Sequence, residues 1–134
     1  MKKILSEYLG TTFLVAIVVG SGIMATDLTQ DVGLQLLINT IATVFGLAVL
    51  ILVLAPISGA QFNPVVTLVD LIQGKSSILQ FIQYAVAQTL GAISGALLAN
   101  AMFDHAIIET ASKVRSGSNL YLAEIVATAG LILV

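Results

Sequence analysis

Cysteine is absent from the sequence, which excludes disulfides, thiolate metal sites and a cysteine nucleophile. Charge is scarce: Asp, Glu, Lys and Arg make up 9% of the residues, against about a quarter in a soluble domain. The five basic residues are spread along the chain and the net charge is −2, so nothing supports a nucleic-acid partner. Histidine occurs once, as His105, with Asp104 and Glu109 at uneven spacing; that is a poor metal site and reads as a solvated loop. Ser58 has no His or Lys at a spacing that would activate it, so no enzyme chemistry is expected and no cofactor or metal is called for.

What is abundant is apolar surface. Hydrophobic residues make up 58% of the chain, and the mean hydropathy is +1.08. No charge interrupts the stretches between Glu7 and Asp27, between Asp31 and Asp70, or between Lys75 and Asp104. These stretches predict an all-α membrane protein with spans at about 5–26, 34–54 and 78–102, and a further span over about 120–134. The first is too long, and too well followed by others, to be read as a cleaved signal peptide. A multi-pass protein of the cell membrane, with the lipid bilayer as its surroundings, is the expectation.

The uncharged run from Val32 to Val69 is too long for one crossing of about 20 residues, and too short for two crossings with a solvated loop between them. Near its centre stands Ser58-Gly59-Ala60-Gln61-Phe62-Asn63-Pro64-Val65. Asn63 is a good N-cap and Pro64 a good first helical residue, and the apolar content continues from Val65 to Ile72 before Gly74. A helix of roughly ten residues rises about 15 Å, half the hydrocarbon thickness of a bilayer. The spacing therefore predicts a full span followed by a re-entrant loop and half-helix over about 55–74. Irregular backbone at that depth survives only where it lines a watery cavity or is buried in protein, so the chain reads as part of a pore.

Lys2 and Lys3 precede the first span and Lys75 follows the half-helix, whereas Asp27 and Asp31 sit in the first loop without a base. The positive-inside rule then puts the N-terminus in the cytoplasm, although Lys113 and Arg115 in the opposite loop nearly balance the count. The apolar segment from Leu120 to Val134 carries only Glu124 and Thr128 as polar interruptions and ends without a cap. Aligning Glu7 with Glu124 pairs Thr11 with Thr128, Leu14 with Leu131 and Val15 with Ile132, and sets Gly10 opposite Ala127. That reads as the opening of a second, inverted repeat in a longer protein.

These residues resemble the aquaporin and glycerol-facilitator family, the major intrinsic proteins. The resemblance rests on Glu7, Gly10 and Thr11 in the first span, on Ala42, Phe45, Gly46 and Leu47 in the second, and on Gln88, Gly91 and Gly95 in the third. Between them stands the most specific element, Ser58, Gly59, Asn63, Pro64, Val66, Thr67 and Leu68. It implies the first half of a six-span bundle, in which two half-helices meet at the midplane of a homotetramer with one pore per subunit. The implied function is a passive channel for water or another small uncharged solute. A secondary transporter with a broken helix and a truncated, non-conducting remnant are the alternatives. Two residues depart from the family pattern: Val65 replaces the Ala of Asn-Pro-Ala, and Gln61 replaces a common His.

The resemblance also assigns expected roles. Asn63 and Pro64 start the half-helix, with the Asn63 amide donating to solute or serving only as an N-cap. Gly59, Ala60 and Gln61 form an extended approach whose carbonyls accept from permeating molecules, or else a simple hinge. Val65 either shifts the junction with the partner half-helix or packs differently. Phe45 matches a constriction wall, with lipid or helix contact as its ordinary alternative. Glu7 and Glu124 would accept hydrogen bonds from the half-helix loops, or rest as solvated acids at headgroup level. Gln88 would hydrogen-bond the half-helix or a neighbouring span. The Ala87, Gly91, Gly95, Ala99 stripe suits close helix packing within the bundle.

Overall fold

The computed structural model describes residues 1–109 and 116–133, and these form five helices in the order α1 (Lys2–Leu28), α2 (Val32–Ser58), α3 (Pro64–Ile72), α4 (Ile78–Met102) and α5 (Ser118–Leu133). Lys113 and Arg115, on which the balance of basic residues turns, lie outside the described residues, as does Val134. Helices α1, α2 and α4 are each long and apolar enough to cross a membrane. Their starts follow local chemistry. Asp31 Oδ1 accepts from the Gly33 and Leu34 N–H groups at 2.8 and 3.1 Å and caps α2, and Ser77 Oγ accepts from Gln80 N–H at 3.2 Å and caps α4.

The second span is longer than its expected 34–54. Pro56 lies inside α2, but so near the end that its missing N–H removes a single ladder bond, and the helix continues to Ser58. Gly59 then stops it in the left-handed conformation at φ +97°, its N–H donating to Ala55 O at 3.0 Å. The irregular segment therefore begins at Gly59 rather than near residue 55.

Helix α1 is the centre of the assembly. α4 runs parallel to it, since Gly91 lies against Tyr8 and Thr12 while Gly95 lies one turn on against Thr12, Val15 and Ala16. Ala87, Gly91, Gly95 and Ala99 are all buried along this seam. A Cβ at Gly91 or Gly95 would overlap the α1 backbone, so the stripe sets how closely the two helices approach. Tyr8 Oη and Ser94 Oγ hydrogen-bond across it at 2.9 Å. Helix α2 packs chiefly on α1, with Asn39 Nδ2 donating to Val18 O at 2.7 Å and to Ser21 Oγ at 3.0 Å. Helix α3 lies on α4, and among the described residues α5 touches only α3 and has no buried residue. Most of α2 is left uncovered.

This packing predicts a contrast between two glycines. Gly95→Val must push α1 and α4 apart and is expected to cost about 1–3 kcal/mol, whereas Gly130→Val, on α5 with no described atom within 4 Å of its added Cβ, should be tolerated. Thermal unfolding in detergent, followed by circular dichroism, distinguishes the two.

Candidate functional site: a loop hung on a buried carboxylate

Between α2 and α3 the backbone is irregular for five residues, 59–63, and three of them have positive φ: Gly59 at +97°, Ala60 at +51° and Phe62 at +49°. For Ala and Phe that conformation costs about 1–2 kcal/mol each, so neighbouring groups must hold it. Glu7 supplies the hold. Its side chain is wholly buried on α1. Oε1 accepts from Ser58 Oγ at 2.6 Å and from Gln61 N–H at 3.1 Å, and Oε2 accepts from Phe62 N–H and from Gln88 Nε2, both at 2.8 Å. Four donors from α2, the loop and α4 thus converge on one carboxylate, which fills its acceptor capacity.

Gln88, 1% exposed, carries the hold across to α3: its Nε2 also donates to Thr67 Oγ1 at 3.0 Å, and Thr67 Oγ1 reaches Asn63 O at 3.1 Å. At the other end of the loop Tyr84 Oη donates to Ser58 O at 3.0 Å, and Ser6 Oγ donates to Ser58 Oγ at 3.2 Å. The Phe62 ring lies over Gly10, where any Cβ would overlap it.

Asn63 caps α3, its Oδ1 accepting from Val65 N–H at 2.8 Å, with Pro64 in the first turn. Among the described residues nothing bonds Asn63 Nδ2, and nothing donates to the carbonyls of Gly59, Ala60, Gln61 and Phe62. One edge of the segment is bonded to protein through its N–H groups while the carbonyl edge is open. The position along the bundle follows from helical rise: Gln88 is ten residues into α4, about 15 Å, and Asn63 lies one turn beyond Thr67, about 6 Å further. That is close to the midpoint of a 25-residue helix.

Other expected residues lie elsewhere. Val65 is 44% exposed on the open side of α3. Phe45 is 70% exposed on α2, and thirteen residues of helix, about 20 Å, separate it from Ser58. Glu124 is exposed on α5 and makes no hydrogen bond to the described residues of the loop. His105 Nδ1 is 3.7 Å from Glu109 Oε2 on the exposed surface, and no group of three metal-ligating side chains occurs among the described residues.

Sequence reasoning passed over Tyr84, Ser6 and Asp70. Tyr84 stands one turn before Gln88 on the same face, a spacing that was there to be read. Asp70 accepts from Gln61 Nε2, which orients the Gln61 amide and leaves its Oε1 buried with no partner among the described residues. Nothing in the sequence pairs these two residues.

Glu7→Gln tests the hold. A neutral amide places an NH₂ where the carboxylate now accepts, facing either Ser58 and Gln61 or Phe62 and Gln88, so at least one buried donor loses its acceptor. The expected loss is about 2–4 kcal/mol, larger than for Tyr84→Phe, which deletes one bond to Ser58 O. Thermal melts of both variants in detergent give the comparison.

The whole chain, residues 1–134, matches the family described as Major intrinsic protein. It is 47% identical to aquaglyceroporin AqpS of Rhizobium meliloti (strain 1021) over 98% of its own length and 56% of that protein. It is 36% identical to aquaporin A of Dictyostelium discoideum over 71% of its length and 34% of that protein, and 38% identical to aquaporin NIP1-1 of Oryza sativa subsp. japonica over 77% and 36%. The chain thus spans about half or less of these relatives. With three long apolar helices and this match from end to end, the chain is a multi-pass membrane protein of the major intrinsic protein family, whose members are channels and not enzymes.

Proposed function

We propose that the chain forms the first repeat of a passive channel for water or another small uncharged solute, with residues 59–63 as a re-entrant loop and α3 as its half-helix. The observation that carries this reading is the one-sided loop: the N–H groups of residues 59–62 are tied to protein, two of them to Glu7, while four successive carbonyls and the Asn63 amide are left for molecules passing in single file. The position of Asn63 near the middle of α4 supports a midplane site. The N-terminus of α3 carries about half a positive charge, and a second such terminus from the other repeat would oppose cations and protons. The similarity to proteins named aquaglyceroporin and aquaporin supports the solute class. On this reading the N-terminus is cytoplasmic, the protein is a homotetramer, and Phe45 forms one wall of a constriction completed by the second repeat.

A secondary transporter would use a deep acid to hold its coupling ion. Glu7 is the deep acid here, and its oxygens are already taken by four protein donors. That favours the channel.

Stopped-flow light scattering on proteoliposomes of the complete two-repeat protein tests the proposal. Water, glycerol and neutral metalloid acids should be tried, and flux should need no ion gradient. Asn63→Ser retains a capping oxygen but removes the amide donor, so permeability should fall roughly tenfold with the folded yield unchanged. Flux that depended on a proton or sodium gradient, or was indifferent to Asn63→Ser, would contradict it.

A further inference from the structure

Lys2 and Lys3 take no part in the site above, and they stand at the start of α1, beside the start of α4. Two recesses open there. One, of about 280 Å³, is lined by Lys3, Ser77, Gln80 and Gln83. The other, of about 540 Å³, runs between α1 and α4 with Lys2 at its edge and Leu5, Val86 and Leu90 among its walls. Met1, Ile4 and Gln83 line both, so the two adjoin. Among the described residues no carboxylate lines either one. The three apolar wall residues are 57%, 54% and 54% exposed, leaving an open furrow on the helix pair.

We propose that this pair of recesses binds one anionic phospholipid from the leaflet that the N-terminus faces. Its phosphate sits between Lys2 and Lys3, with Ser77, Gln80 and Gln83 as hydrogen-bond donors around it. An acyl chain lies in the furrow against Leu5, Val86 and Leu90. The two halves discriminate differently. Two lysines with no carboxylate beside them among the described lining residues favour a net negative headgroup over a zwitterionic one. The furrow gives shape contact to an acyl chain, which free phosphate lacks, and contact of that kind is what distinguishes one apolar neighbour from another inside a bilayer.

Native mass spectrometry of the protein in micelles holding equal phosphatidylglycerol and phosphatidylcholine tests the proposal. One phosphatidylglycerol per chain should be retained, preferred about tenfold or more. Lys2→Gln with Lys3→Gln should abolish the preference. Leu90→Trp fills the furrow and spares the lysines, and should lower occupancy by phosphatidylglycerol; Val86→Trp repeats that arm if Leu90→Trp fails to fold. Excess inorganic phosphate should displace nothing. Equal retention of the two lipids by the unaltered protein, displacement by phosphate, or undiminished preference in the lysine variant would overturn the proposal. Undiminished occupancy in the folded tryptophan variant would do so too, because lysine attraction alone would then account for the binding.

Discussion

The Glu7 carboxylate is the contact on which the rest of the structure depends. Five residues of non-helical backbone join α2 to α3, and in an apolar setting each unbonded N–H among them would cost several kcal/mol. Glu7 takes two of those N–H groups and the hydroxyl of Ser58, and its fourth bond goes to Gln88, which in turn holds Thr67 of α3. A single side chain on α1 thereby fixes the end of α2, the loop and, through α4, the half-length helix. The close seam between α1 and α4 is part of the same arrangement, because Gly91 and Gly95 let the two helices approach closely and Gln88 stands on the same stretch of α4.

The consequence for function is a division between donors and acceptors. Side chains can satisfy N–H groups only from the side on which they lie, so binding the segment through its N–H edge leaves the C=O edge turned to other partners. Positive φ at Ala60 and Phe62 is the conformational cost of that presentation, and the Glu7 bonds together with the packing of Phe62 over Gly10 offset it. A segment held this firmly can offer acceptors at fixed positions to molecules that come and go.

Much of this was legible in the sequence, for identifiable reasons. Charge-free stretches mark the long helices because burying a charge in lipid is costly, and Asn63-Pro64 marks the start of α3 because capping is local chemistry. The small residues of α4 announced a close seam through their four-residue period. What stayed hidden was tertiary. The end of α2 lay four residues further on than expected, because one proline near a helix end removes too little to stop it. Asp70 looked like the end of an uncharged run, and its contact with Gln61 depends on how the loop folds back along α3. Phe45 could be placed only through the family resemblance, and on α2 it stands with little around it.

The proposed channel requires residues 59–62 to be bonded to protein through their N–H groups and open to solute through their carbonyls. Solid-state NMR of the protein in bilayers, with ¹³C and ¹⁵N labels in this segment, measures both edges at once. The account predicts that the Gln61 and Phe62 amides resist exchange with deuterated water for hours, while the carbonyl carbons of the same segment show magnetisation transfer from mobile water. Rapid exchange at those amides, or carbonyls with no contact to water, would contradict it.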